Sequence, residues 1–168
     1  EVLNRAGITR ASHAIILSKD PGDPHSDDQN LATTLVMESM NDRIFSVVEI
    51  VSAEKIHQVE LAGANSVICA SELSSGLIIQ EMQDPGVKNI IKDLVSNLGG
   101  QQIYFVPVRK LADWEYAELV QWGLNNRYAV IGIVRDGVQM LNCLSSEKIR
   151  ETDSAVIIGS VRPEEISI

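Results

Sequence analysis

Clusters of lysine and arginine are missing from this chain. Its 14 basic residues are scattered among 23 acidic ones, giving a net charge of −9. A nucleic acid or an anionic membrane surface needs grouped cations to displace its counterions, so neither is expected as a direct partner. No apolar run approaches the roughly 18 residues that cross a bilayer, and no basic, apolar, small-residue leader opens the sequence. Membrane insertion by this chain is therefore not expected. The sequence begins on Glu1 without a methionine, which reads as a piece of a longer polypeptide.

Cysteine is nearly absent as well. Cys69 and Cys143 each lie inside an apolar segment, the setting of buried core thiols in a reducing compartment more than of a disulfide or a metal pair. Also lacking is the Gly-x-Gly-x-x-Gly loop, with an acid about twenty residues on, that cradles a dinucleotide. Histidines are few and dispersed: His13 falls at a strand edge, His25 in a loop and His57 on the solvent side of a helix. With no nucleophile and base set in view, catalysis is not expected.

What is present is enough apolar sequence, 45% of 168 residues, for a real core in one domain or two small ones. Glu1 to Ala11 reads as the end of a helix and a loop, anchored by Val2, Leu3 and Ile8. Ala14 to Leu17 is a short unbroken apolar run of the kind found in a parallel strand covered on both faces. A Pro, Gly and Asp-rich loop follows. Ser26 and Gln29 then form a capping box for a helix from Asp27 to about Met40, with Asp27 and Asp28 in its first turn and Leu31, Leu35, Val36 and Met40 on its apolar face. Ile44 to Val51 is the next strand, Ser52 caps a helix through Leu61, Gly63 stops it, and Ser66 to Ala70 is a third strand. Strand, helix, strand, helix, strand makes two successive βαβ units and a parallel sheet.

Two helices come next, from about Glu72 to Gln83 and from Val87 to Asn97. They are broken at Asp84-Pro85-Gly86, where proline lacks an N–H and glycine tolerates the turn. In the second helix Val87, Ile90, Ile91, Leu94, Val95 and Leu98 follow a 3.6-residue period. The pair reads either as an αα-hairpin packed on its own domain or as a crossover gripping a second subunit. Leu98-Gly-Gly-Gln101 is a linker, and the pattern beyond it changes. Gln102 to Val108 alternates as a strand, Asp113 caps a helix to about Trp122, and strands follow at Ala129 to Arg135, Val138 to Leu144 and Ser154 to Val161, the first ended by the turn Asp136-Gly137. This second part is α+β with a mixed or antiparallel sheet, and Trp114, Tyr116 and Trp122 read as its packing.

Two features invite a ligand. Glu49 is a carboxylate near the end of an otherwise apolar strand, and such an acid is either a functional ligand or a structural hydrogen-bonding group. Asp20, Asp23, His25, Asp27 and Asp28 in and after the loop either attract a divalent ion or form a solvated loop with helix capping.

Several runs carry a resemblance: Glu1-Val-Leu-Asn-Arg-Ala-Gly-Ile, His-Ala-Ile-Ile-Leu, Val-Val-Glu-Ile and Leu61-Ala-Gly-Ala-Asn-Ser-Val-Ile. Together they resemble the second half of the nucleotide-binding fold of regulator of potassium conductance (RCK) domains and Trk-type potassium uptake regulators. Val130-Ile-Gly-Ile-Val-Arg-Asp-Gly137, Thr152-Asp-Ser-Ala-Val-Ile-Ile-Gly159 and Val161-Arg-Pro-Glu-Glu165 resemble the C-terminal subdomain of the same family. The implied architecture is α/β: a truncated Rossmann-like parallel half-sheet over 1–70, a helix-turn-helix crossover over 71–98 and a small α+β subdomain over 99–168.

The resemblance implies a cytoplasmic gating module of a potassium channel whose copies form a dimer or ring, with the channel pore or a transporter membrane subunit as partner. The implied dimer interface is Leu73, Leu77, Ile78, Met82, Val87, Ile90, Ile91 and Leu94. Alternatives are a peripheral regulatory subunit of a Trk-type uptake system, or the remnant of an NAD-dependent enzyme. Ca2+ or a nucleotide is the implied effector. The calcium positions of the family align with Ser18, Glu49 and Val51, one carboxylate of three, so that site is expected to be absent unless Asp20 replaces Ser18 beside Glu49. Ser18, Lys19, Asp20 and Glu49 line one edge of a nucleotide crevice, but without the glycine loop the chain alone is expected to hold no nucleotide tightly.

Overall fold

The computed structural model describes all residues except 1, 21, 24, 97, 98, 110, 112, 165, 167 and 168. The expected roles of Asn97 as a helix end and Leu98 as an apolar position fall outside the described residues. The chain divides into two compact units, Glu1–Pro85 and Gly86–Ile168.

In the first unit, helix α1 (Val2–Arg5) and a 3-10 turn (Ile8–Arg10) lead into β1 (His13–Ile16), α2 (His25–Met40) and β2 (Phe45–Ile50). A 3-10 turn (Ala53–Lys55) runs into α3 (Ile56–Leu61), followed by β3 (Ser66–Cys69) and α4 (Ala70–Gln83). The strands form a parallel sheet in the order β1-β2-β3, with Ile15 beside Val47 and Glu49 beside Ile68. The parallel sheet expected from the βαβ pattern is thus present. Val48, Ile50, Val59 and Cys69 form one core cluster, joined by Ile16, Leu31 and Val67; Ile8, Met37 and Ile44 form another with Leu3, Ala14 and Met40. Val2 is no anchor, being 77% exposed.

Helix α2 does not bury the face its apolar residues define. Leu35 and Val36 are half exposed, while Ser26, Asp27, Asn30, Thr34 and Met37 are buried. The reason is hydrogen bonding. Asn30 Nδ2 donates to the Glu49 carbonyl at 2.8 Å and the Thr34 hydroxyl donates to the Asn30 carbonyl at 2.8 Å, so the polar stripe is satisfied inside and the helix turns accordingly. Among the described residues, Ser26 and Gln29 make no capping box either. Ser26 lies within the helix and its hydroxyl bonds the backbone of Asp20, while the Asp23 carboxylate accepts the His25 N–H at 2.9 Å. Ser52 makes no side-chain cap, whereas Gly63 adopts the left-handed φ of 106° expected of a helix stop.

The break at Asp84-Pro85-Gly86 is as expected, with Gly86 at φ 110°. Helix α4 starts two residues earlier than the sequence pattern indicates, and α5 (Val87–Val95) opens the second unit. There β4 (Gln102–Pro107), α6 (Tyr116–Asn125), β5 (Ala129–Arg135), β6 (Val138–Leu141) and β7 (Ser154–Gly159) build an antiparallel sheet in the order β4-β7-β5-β6. Its core gathers Val106, Val108, Leu111, Tyr116, Leu119, Ile133, Ile149 and Ile157, with Trp114 and Trp122 packed against it. Asp113 does not cap α6. It sits at a positive φ of 72°, and Glu115 caps the helix in a reciprocal box with Glu118. Asp136 and Gly137, both at positive φ, make the tight turn between β5 and β6 that the sequence announces.

Both cysteines are free, Cys69 buried and Cys143 half-buried. Cys143 lies past the end of β6, which is shorter than expected.

Candidate functional site at the carboxyl ends of the parallel strands

Parallel sheets of this kind take ligands outside the carboxyl ends of their strands. Here that end is tied together by polar side chains, of which Asp27 and Asn30 are buried. The Ser18 N–H donates to Glu49 Oε2 at 2.9 Å, and its hydroxyl donates to the Glu49 carbonyl at 3.3 Å. Asn30 donates to the same carbonyl, and lies 3.4 Å from the Ser18 hydroxyl. Asp27, fully buried, accepts the N–H groups of Val51 and Ser52, each at 2.8 Å. Ser71 closes the far side by donating to the Val51 carbonyl at 2.9 Å.

Of the four residues expected to line a crevice, the structure brings Ser18 and Glu49 together. Lys19 is exposed beside them. Asp20 is engaged within its own loop, accepting the Gly22 N–H at 2.9 Å, with its backbone held by Ser26. Among the described residues no three His, Cys, Asp or Glu side chains gather as a metal ion would require. Glu49 closes a hydrogen bond to the end of the neighbouring strand, while Asp20 bonds within its own loop.

The start of α2 is negatively charged. Asp23, Asp27 and Asp28 surround it, and Asp28 pairs with Lys55 at 2.7 Å. The Lys55 hydrogen bond and charge hold the Asp28 carboxyl below its usual range, and Asp28 raises Lys55 in turn. A phosphate, which helix N-termini otherwise attract, is repelled from this one.

Sequence reasoning missed Asn30 and the tie made by Asp27. The available signal is the spacing of Ser26, Asn30 and Thr34 at every fourth position, a polar stripe that an inspection of apolar residues alone discards.

The first unit is a Rossmann-like half-sheet of parallel strands, and the second is a small antiparallel α+β unit. Residues 1–70 match the model of the family described as the TrkA-N domain, in line with the resemblance drawn from the sequence. The chain is also 27% identical over 165 residues to a Bacillus subtilis (strain 168) protein named "Putative potassium channel protein YugO". That alignment takes in 93% of this chain and 48% of the relative, so the chain spans about half the length of the curated protein it matches. Among solved structures, the human SLO3 gating ring shares the fold at a TM-score of 0.76, with 18% identity over 95% of this chain and 34% of that one. The RCK domain of GsuK overlaps more loosely, with a TM-score of 0.43 and 20% identity over 94% of this chain and 32% of that one.

Proposed function

We propose that the chain is the cytoplasmic ligand-sensing module of a potassium channel, acting through ligand-biased assembly of its copies into a dimer or a ring. One observation carries this reading: the helices on either side of Pro85 leave large apolar side chains in water. Leu73, Ile78 and Met82 of α4 are 67%, 69% and 77% exposed, and Ile90 and Ile91 of α5 are 63% and 40% exposed. Leu77, Val87 and Leu94 are half-buried. Apolar area left in water at about 25 cal/mol per Å² favours an association that covers it.

The fold shared with a gating ring and the channel name of the Bacillus relative support the same reading. A ligand that binds one arrangement of the copies better than another shifts the population, and an attached pore follows. Ser18, Lys19, Asp20 and Glu49 are the residues proposed to meet that ligand, a nucleotide or Ca2+, with Asp20 and Glu49 as the acids for a metal ion.

Sedimentation of the chain across concentrations, with and without Ca2+, ATP or NAD, tests the reading. A concentration-dependent dimer whose affinity shifts with one of these is the expected result. A monomer that ignores concentration and ligand overturns it. A second reading, a peripheral regulatory subunit of a Trk-type uptake system, is favoured by the TrkA-N match over residues 1–70. Copurification with a separate membrane subunit would select it.

A further inference from the structure

At one corner of the antiparallel sheet the pairing runs on past the strands. Pro107 of β4 lies beside Ser154 of β7, and beyond them the Val108 N–H still donates to the Asp153 carbonyl at 3.2 Å. The same register carried one step further sets Arg109 opposite Thr152. Successive residues alternate sides. Val106, Val108, Asp153 and Ala155 are buried on the side of the core, so Pro107, Arg109, Thr152 and Ser154 stand on the other. There, together with Glu151, they line a cavity of about 420 Å³, a size that admits a small molecule.

The cavity holds a guanidinium and a carboxylate that the protein leaves unused. Elsewhere in this unit opposite charges close on each other, Arg135 on Asp153 and Glu147, and Lys148 on Glu115. Arg109 and Glu151 face one cavity, yet among the described residues neither is in an ion pair, with the other or with a third group. The Thr152 and Ser154 hydroxyls likewise make no hydrogen bond among the described residues. The backbone that carries Glu151, Thr152 and Ser154 is fixed from behind. Asp153 is clamped by Arg135, accepts the Arg150 N–H, and donates its own N–H to the Arg150 carbonyl at 3.0 Å. A ligand entering here does not have to order that wall, which lowers the cost of binding.

We propose that this cavity binds a free amino acid, with Arg109 taking the carboxylate, Glu151 taking the ammonium group, and the Thr152 and Ser154 hydroxyls bonding to either. The two charges select against the alternatives. Phosphate or a dicarboxylate brings negative charge to Glu151, and a bare cation brings positive charge to Arg109, whereas a zwitterion satisfies both at once. Arg109, Glu151 and Thr152 are exposed, so water screens the site and the dissociation constant should be about 1 mM. The site draws on the second unit alone, while Ser18 and Glu49 belong to the first. It therefore gives the chain a second input and holds whether or not the copies assemble.

Nuclear magnetic resonance titration of the whole chain with the common L-amino acids, one at a time to about 10 mM, tests this. At least one should move the backbone signals of Arg109, Glu151, Thr152 and Ser154 saturably, while propionate, propylamine and inorganic phosphate at the same concentration leave them in place. Arg109→Gln and Glu151→Gln should each weaken that amino acid at least about tenfold without lowering the thermal midpoint, and Lys92→Gln should leave it unchanged. If no amino acid moves these signals, or if propionate or phosphate moves them as strongly, the cavity is not an amino acid site. An amino acid that binds both cavity variants as well as the native chain overturns the roles given to the two charges.

Discussion

Arg135 and Asp153 form a two-pronged ion pair inside the second unit, with Nε 3.0 Å from Oδ1 and Nη2 2.8 Å from Oδ2. Asp153 is 1% exposed, and the Arg150 N–H adds a further bond at 2.9 Å to Oδ2. Arg135 also donates to Glu147 at 2.6 Å and to the Lys148 carbonyl at 2.7 Å. One guanidinium therefore fastens the start of β7 to the segment that follows β6. Burial works to raise the Asp153 carboxyl, but the Arg135 and Arg150 bonds outweigh it and hold it below its ordinary value, while the two acids raise Arg135.

The sign of the pH effect follows. A carboxyl depressed in the folded state contributes stability that is fully present above its unfolded pKa of about 3.9, and that is lost as pH falls through the folded value. Urea denaturation of the native chain should show stability falling below about pH 4. Asp153→Ala, which leaves Arg135 with Glu147 as its remaining acid, should cost about 1.5–3 kcal/mol at pH 7 and flatten that acid limb. An unchanged acid limb in the variant would mean other carboxylates govern it.

Asp27 makes a comparable tie in the first unit. Replacing it with Ala leaves the Val51 and Ser52 N–H groups without acceptors, and the expected loss is about 2–4 kcal/mol. Asp27→Asn keeps one acceptor oxygen and should lose less. Hydrogen exchange at the two amides reads the effect locally: both should speed up in the Ala variant, and protection equal to that of the native chain would refute the tie.

Gly132 sits in β5 where the register with β7 shifts, and a Cβ there would run into the Met140 carbonyl and the Leu141 backbone. Backbone cannot swing aside as a side chain can. Gly132→Ala should destabilise the second unit by about 1–3 kcal/mol through overpacking and loosen β6, seen as a lower thermal midpoint and faster exchange from Val138 to Leu141.

The apolar residue Ile90, 63% exposed, and the still more exposed Leu61 of α3, at 75%, make a paired test of the proposed assembly. Ile90→Glu should abolish the dimer in light scattering, whereas Leu61→Glu should leave it intact. Equal effects would point to generic loss of apolar surface and not to a particular interface.

Much of the fold was legible because local chemistry agreed with it. Ala14 to Leu17 and Val47 to Ile50 are apolar enough to specify parallel strands, Pro85 and Gly86 stop a helix wherever they occur, and Asp136-Gly137 is hairpin chemistry whatever surrounds it. The face of α2 was not legible. Counting apolar residues put Leu35 and Val36 inside, and the structure buries Asn30 and Thr34 instead. The same limit applied to capping, where Asp113 had the right side chain but Glu115 had the extended backbone that a cap requires.

By itself, then, the sequence determined the order and type of the elements, the parallel and antiparallel halves and the break between α4 and α5, because those depend on neighbours a few residues away. Only the tertiary structure decided that Asn30 reaches Glu49 and that Asp27 secures Val51 and Ser52. Those outcomes depend on groups 19 to 25 residues apart finding hydrogen-bonding partners. A buried polar group goes where its partner is, and the partner's place is set by the whole fold.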